Sequence, residues 1–365
     1  MKILILGFTK IMYMPYLRFY LDEIDTKKND VYLAYWARDD KNDSPLPENV
    51  KGRCYRNPME DAIPLKRKIS KILGYGRFAK KIINEVAPDF LIVMHSTTAF
   101  TIKNVLTKKY SKRYIFDYRD LTYENKFGFY KKAIGQITEH ALATFTSSDG
   151  FRSVLPDLDT VYTSHNIISN ADEIHKHYLA REKRSTAPIR AAFWGLLRHR
   201  EINEQIIQKL CGDPRFEVHY YGRAQGKMLE LMKESAKQFP NFEFHGEYQP
   251  EDRLSFANDT DIILNLYDKK GTILYAMGNK YYDGVVFNIP QLCTDGTYMG
   301  DRCSASQVGF ACDPYAPEFA NEVYNYYSSL DYASLKRACD VELEGIMRQV
   351  NTGKSIIRKG LNHGE

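Results

Sequence analysis

Short apolar runs alternate with longer amphipathic stretches along most of the chain. In the first half KILILG (2–7), DVYLAYW (30–36), DFLIVMH (89–95), RYIFDY (113–118), ATFTSS (143–148) and TVYTS (160–164) are compact apolar runs bounded by turn residues. Such runs predict six strands buried on both faces of a parallel sheet. The periodicity between them predicts helices over 11–23, 65–86, 98–109, 128–141 and 148–155. After a stretch richer in charge and turn residues, the pattern restarts. IRAAFWG, FEVHYYG, FEFHG, DIILNLY, PQLC and VGFACDP predict six more strands, with helices over 200–211, 225–238, 250–258, 279–287 and 315–329. Strand and helix taking turns twice is the signature of an α/β chain with two Rossmann-like domains facing across a cleft. The expected boundaries are 1–170 for the first domain, 171–188 for a linker, 189–335 for the second domain, and 336–365 for an amphipathic helix and tail returning to the first domain.

One predicted helix carries unusual chemistry. In GNKYYDGVVFNIPQL (278–292), a lysine, two tyrosines and an aspartate precede an apolar run that ends in proline. Asn279 is expected to cap it, with Asp283 one turn in, and Asn288 and Pro290 to end it. A helix start beside strand ends suits an anionic ligand, because unpaired amides and the helix dipole favour negative charge there.

Composition narrows the field. At 365 residues, 44% hydrophobic and 27% charged, the chain is an ordinary globular protein too long for one core. MKILILGF is too short an apolar start for a signal peptide or a membrane span, so a cytoplasmic location is expected. Cys54, Cys211, Cys293, Cys303, Cys312 and Cys339 contain no CxxC pair and are read as buried reduced thiols. The net charge of +5 is mild, but basic residues gather between Pro64 and Ile82.

Several motif classes are excluded. Gly7 stands alone after the first strand, where a nicotinamide or flavin enzyme needs GxGxxG. The GKS at Gly353 lacks both the earlier glycine and the strand of a P-loop. Asp157 with Asp159 and Asp259 with Asp261 mark turns and strand entries. What remains is a set of glycines ending strands, Gly195 in FWGLLRHRE, Gly222 in YYGRAQG and Gly246 in FHGEYQP. Each either turns the chain tightly or lets a ligand approach the backbone.

With these glycines, followed by NFEFHGEYQPEDRLSFANDTDIILNLY, NKYYDGVVFNIPQL and GFACDP, the sequence resembles the two-domain GT-B glycosyltransferases. The likeness is to the retaining family-four type of bacterial capsule, lipopolysaccharide and exopolysaccharide synthesis. It runs through most of the chain and is densest from Phe193 to Asp313; SSDGFRSVL and SHNIIS are similar to the close of the family's first domain. The resemblance implies transfer of a sugar from a nucleotide-sugar donor to a glycan or lipid-linked glycan, with retention and without a metal or other cofactor. It implies that Arg198 and Lys280 stabilise the departing diphosphate, and that Gly195, Arg200, Gly222, Arg223, Gly246, Asn279, Tyr282 and Asp283 hold the nucleotide, Asp283 through the ribose hydroxyls. At strand ends of the first domain, His95 and Asp120, with Asp117 and Arg119 nearby, are placed against the transferred sugar or the acceptor. Two departures stand out: Tyr275 occupies the place of the family's first glutamate, and Leu196 that of a common arginine.

PLKRKISKILGYGRFAKKI (64–82) interleaves basic and apolar residues at helical spacing. It reads either as a crossover helix with a solvated basic face or as a surface whose Lys66, Arg67, Lys68, Lys71, Arg77, Lys80 and Lys81 meet anionic lipid while Ile69, Leu73 and Phe78 insert. Nucleic acid is excluded as a partner, since the basic residues are confined to one segment and no recognisable binding module accompanies them. Alternative functions are a nucleotide-sugar 2-epimerase of similar fold and a non-catalytic sugar-nucleotide binding protein.

Overall fold

The computed structural model describes residues 1–59, 63–168, 170–184 and 188–362. Residues 185–187 of the expected linker and 363–365 of the expected tail lie outside the described residues. The chain divides into two compact units, Met1–His165 with Met347–Glu365, and Asn166–Ile346.

In the first unit the strands are β1 (Lys2–Leu6), β2 (Asp30–Ala37), β3 (Val50–Arg56), β4 (Phe90–Met94), β5 (Tyr114–Tyr118), β6 (Ala143–Thr146) and β7 (Val161–Thr163). They form one parallel sheet in the order β3-β2-β1-β4-β5-β6-β7, so the winding reverses between β1 and β4. β3 is the strand that the apolar pattern misses. It lies at the edge, and its sequence VKGRCYR alternates polar and partly buried positions instead of forming an apolar run. The helix expected over 11–23 shrinks to a 3₁₀ turn, Ile11–Tyr13, and a short helix, Leu17–Leu21. Pro15 accounts for the break, because the residue before a proline is driven from the helical region, and Met14 sits at φ −120°, ψ 58°. The helix Leu65–Val86 forms as its periodicity predicts.

The second unit holds β8 (Ile189–Trp194), β9 (Phe216–Tyr221), β10 (Phe242–Gly246), β11 (Ile262–Asn265), β12 (Gln291–Thr294) and β13 (Gly309–Cys312). This sheet is also parallel, in the order β10-β9-β8-β11-β12-β13, with its reversal between β8 and β11. Its core gathers Ile189, Phe193, Ile206, Phe216, Val218, Ile262 and Leu264 with the helices on either face. The expected linker carries a helix, Ala171–Tyr178. The helix Tyr298–Ala305 escapes the sequence reading; it opens at Thr297, whose hydroxyl accepts the Gly300 amide at 3.1 Å.

The long helix Tyr332–Asn362 begins in the second unit and ends in the first. Its last turns bury Ile357 and Leu361 in the core of the first sheet. Gly353 lets it pack closely there, since a Cβ would crowd the Phe19 and Phe145 rings at 3.0 Å. Among the described residues no helix is long and apolar enough to cross a membrane.

Within the second unit the same helix presents Glu342, 5% exposed, to three donors. Its carboxylate accepts from Tyr281 at 2.8 Å, from Arg302 at 2.9 and 2.7 Å, and from Ser306 at 2.8 Å. This network ties the helix Asn279–Val286 to the C-terminal one. Arg302 keeps 42% of its side chain exposed and is solvated when the carboxylate is removed, but the buried Tyr281 hydroxyl loses its partner, so Glu342→Ala is expected to cost about 1–3 kcal/mol in urea unfolding. A loss below about 1 kcal/mol would show that the network is only peripheral.

Candidate functional site

In open parallel sheets, ligands bind beyond the carboxyl ends of the strands where the winding reverses. In the second unit that point lies between β8 and β11. β8 ends in Trp194, and Gly195 follows with φ +132°. Gly222 (φ +143°) and Gly246 (φ +78°) follow β9 and close β10 in the same way, and the three are laced together by backbone bonds. The Gly195 amide donates to Tyr221 O at 3.0 Å, and the Gly222 amide to Gly246 O at 2.6 Å. The three glycines are not equivalent. A Cβ on Gly222 would lie 1.7 Å from the Gly195 carbonyl oxygen, so packing alone demands glycine there. A Cβ on Gly246 meets nothing within 4 Å, and one on Gly195 meets only the Lys280 ammonium nitrogen, at 4.0 Å.

Lys280 is the centre of this arrangement. It lies on the second residue of the helix Asn279–Val286, only 5% exposed, with its Nζ 3.8 Å from the Phe193 ring centroid and 4.8 Å from that of Tyr267. Its amine is hydrogen-bonded to the Tyr267 hydroxyl. Burial lowers its pKa to about 7, with Asp283 opposing the shift. The expected Asn279 cap is corrected by the structure: Gly278 occupies the cap position at φ −73°, ψ 148°, and Asn279 is the first helical residue. Its side-chain oxygen instead accepts from Asn166 Nδ2 at 2.7 Å.

Asp283, expected to face ribose hydroxyls, has internal partners. It is 3% exposed, accepts from Trp194 Nε1 at 2.8 Å, and pairs with Arg253 at 3.1 Å. Burial raises its pKa, against the pull of Arg253 and Trp194. Tyr282 is likewise buried.

The cations divide by exposure. Arg198 is exposed, and its guanidinium makes no hydrogen bond or ion pair among the described residues. Arg223 is half-buried, and its carbonyl accepts the Leu197 amide at 3.1 Å. Arg200 is turned along its own helix and to the next one, lying 3.6 Å from Glu204 and donating to Lys227 O at 3.1 Å. The sequence reading passed over His199, between the two arginines. It adopts a left-handed conformation (φ 61°) and points Nδ1 to within 3.3 Å of Asp268, next to Tyr267. Nothing in its side-chain type distinguishes it; the strained φ, visible only in three dimensions, does.

The first unit repeats the geometry at its own reversal, between β1 and β4. His95 follows β4 at φ 79° and stacks on Phe8, which follows β1, at 4.4 Å between ring centres. Arg38 covers the same Phe8 ring at 3.9 Å. His95 Nδ1 accepts the Thr97 amide at 3.2 Å, which places the ring proton on Nε2. Desolvation, then Arg38, push its pKa far below the usual range, so the ring is a neutral hydrogen-bond donor through Nε2. Asp117, not Asp120, pairs with Arg119: Oδ1 lies 2.8 Å from its Nε, and Oδ2 accepts from Tyr20 at 2.6 Å. Asp120 is exposed beyond this buried pair.

No family model matches the sequence, and no curated protein sequence does so significantly. Solved structures do match, over essentially the whole chain. Anabaena HepE in complex with UDP shares 13% identity at a TM-score of 0.65, covering 100% of both chains. An α,α-trehalose-phosphate synthase (UDP-forming) from Burkholderia vietnamiensis shares 9% at 0.67, covering 99% of both. WaaG, a glycosyltransferase of lipopolysaccharide biosynthesis, shares 12% at 0.61, covering 98% of this chain and 99% of that one. At such identities the likeness establishes the fold, which is that of the GT-B glycosyltransferases.

The state of Lys280 can be read from stability. With a folded pKa of about 7 against an ordinary value of 10.5, the unfolded chain binds a proton that the folded one refuses between those values. Stability therefore rises with pH across that window, and the destabilisation is fully present below it. Lys280→Met should be more stable than the parent at pH 7 by about 1–4 kcal/mol, with the gap closing towards pH 10. Urea unfolding at pH 7 and 9.5 checks this; parallel pH profiles for the two proteins would mean that Lys280 is charged in the folded state.

Proposed function

We propose that the protein transfers a glycosyl group from a nucleotide-sugar donor to a hydroxyl of a glycan or lipid-linked glycan. The observation that carries this reading is Lys280. A buried amine stands against an open glycine at the reversal point of a parallel sheet, in a chain with the glycosyltransferase fold. A diphosphate at Gly195 would give the ammonium the counter-charge that the protein withholds. The amides at the start of the helix Asn279–Val286 would add partial positive charge. Exposed Arg198 is the second cation for the leaving group, its planar fork suited to two phosphate oxygens. Charge grows on the leaving oxygen as the glycosidic bond breaks, so both cations act more strongly on the transition state than on the ground state. The Nε2–H of His95 is proposed to donate to a hydroxyl-bearing ligand at the reversal of the first sheet. Asp283 serves as a positioning residue that fixes the helix through Trp194 and Arg253.

Retention of configuration, independence from metal, and a place in capsule, lipopolysaccharide or exopolysaccharide synthesis are part of this proposal. The fold shared with HepE, solved with UDP and glucose, and with WaaG supports a nucleotide sugar as donor. In a retaining route the departing phosphate takes the acceptor's proton, so no carboxylate base is required at Asp120.

Calorimetry with UDP, GDP and ADP should find at least one binder, and binding at pH 8 should take up about one proton as Lys280 becomes charged. Lys280→Met should abolish the uptake and lower turnover by about 10²–10³. Absence of binding by all three nucleotides would overturn the reading. Product analysis without acceptor separates transfer from epimerisation.

Anionic lipid at the basic helix is proposed for the acceptor side. On Leu65–Val86 the structure leaves Ile69 and Leu73 45% and 52% exposed, among the exposed Lys66, Arg67, Arg77, Lys80 and Lys81. Phe78, expected to insert, instead packs on Tyr55 and Tyr75 at 5.3 and 6.1 Å between rings. Lys71 is likewise drawn inward, to Asn57 at 2.9 Å. The protein should sediment with anionic vesicles in low salt and be released as salt screens the charge. Ile69→Asp with Leu73→Asp should prevent it, whereas no sedimentation at low salt would leave the segment a crossover helix with a solvated face.

A further inference from the structure

At the free edge of the second sheet, away from Lys280, three side chains converge that the proposed transfer does not use. They are His219 on β9 and Glu243 and His245 on β10, and they are brought together by register. Glu243 pairs directly with His219, and an irregularity between Phe244 and Gly246 makes His245 the extra residue of a bulge. Glu243 and His245, two apart on one strand, share the face that His219 occupies on the next.

We propose that His219 Nδ1, His245 Nε2 and a Glu243 carboxylate oxygen bind a divalent transition-metal ion of the zinc type, with water in the fourth position. The three atoms lie 3.0, 3.8 and 3.4 Å apart. A tetrahedral ion with bonds of about 2.0–2.1 Å requires ligand atoms roughly 3.3 Å apart, so the trio already has the required spacing. Two imidazoles and one carboxylate suit zinc, nickel or copper better than magnesium or calcium, which prefer oxygen.

The surroundings add an independent sign of a built site. His219 Nε2 is buried with no hydrogen-bond partner, and the nearest acceptor is Glu217 Oε1 at 3.5 Å. Glu217 is itself held by Arg190 at 2.9 Å. A carboxylate behind the distal nitrogen of a ligating histidine orients the ring and strengthens it as a donor. On the other side, the Tyr221 ring stacks on His245 at 4.1 Å and 3°. Tyr221 continues to Phe256 at 4.3 Å, so the second ligand is also held in orientation. A bound ion would cross-link β9 to the edge strand and fix the bulge that ends at Gly246.

The test uses the untagged full-length protein and Zn²⁺ by calorimetry, with Co²⁺ absorption as a reporter of tetrahedral nitrogen and oxygen ligation. One ion per chain is expected. His245→Ala, at an exposed position, should weaken affinity at least about 100-fold, and Glu217→Gln about 10-fold. His140→Ala, on the first unit, should change nothing, and saturating Zn²⁺ should raise the Tm of the parent but not of His245→Ala. Absence of stoichiometric binding, or binding that survives His245→Ala unchanged, would overturn the proposal.

Discussion

The second unit is organised around a helix with no solvated face. From Lys280 to Val286, every residue of Asn279–Val286 is buried, yet it includes a lysine, two tyrosines and an aspartate. A polar group placed out of water costs several kcal/mol unless it is bonded, and a lone charge costs more. The elements around it supply the partners. Glu342 takes the Tyr281 hydroxyl, Trp194 and Arg253 take the Asp283 carboxylate, and Gln291 Nε2 donates to the Tyr281 carbonyl at 3.1 Å. Gly284 leaves room for that glutamine, whose amide nitrogen would lie 2.7 Å from an added Cβ. Strand β8, the helix Arg253–Asn258, strand β12 and the C-terminal helix are thus each fixed to the same eight residues.

The strand-end glycines complete the frame for a different reason. Gly222 must approach the Gly195 carbonyl more closely than any side chain allows, so the turns after β8 and β9 are locked to one another. Gly195 is held in its φ +132° conformation by that lock and by its bond to Tyr221, which leaves its upper side open towards Lys280. Rigidity in one glycine therefore positions the other.

The sheets were legible in the sequence wherever strands were buried on both sides. ILIL of β1, FLIVM of β4 and IIL of β11 are continuous apolar runs because water reaches neither face. β3 was not, because Lys51, Gly52 and Arg53 interrupt VKGRCYR and leave no apolar pattern to read. The helix Leu65–Val86 was legible to the residue, since long periodic segments average out local noise, whereas the effect of Pro15 on 11–23 was available in the sequence and outweighed the periodicity. Lys280 was legible from its place ahead of an apolar run. His199 and Tyr267 were not, because their importance lies in a backbone strain and a ring position that no spacing encodes. The His219, Glu243 and His245 group escaped for a related reason: it is assembled across two strands, through a bulge, from residues 26 positions apart.

The charge state of Lys280 shows why these satisfied polar groups matter for chemistry. Asp283 attracts it, but that carboxylate is shared between Arg253 and Trp194, and it pulls the lysine pKa upward too weakly to offset burial. Tyr267 offers no anion either, since burial raises its pKa and keeps it a phenol. The Phe193 face at 3.8 Å favours the ammonium by about 2 kcal/mol, yet desolvation outweighs it and holds the pKa below the ordinary lysine value. The protein thus gives this amine apolar walls, a hydroxyl and an aromatic face, while its own counter-charges are committed elsewhere. Full charge on Lys280 then depends on an anion arriving from outside, and in so poorly screened a place the interaction between the two is far stronger than at a solvated lysine. Because that gain grows with negative charge on the ligand, the same burial that destabilises the empty site would favour a leaving diphosphate over the intact donor.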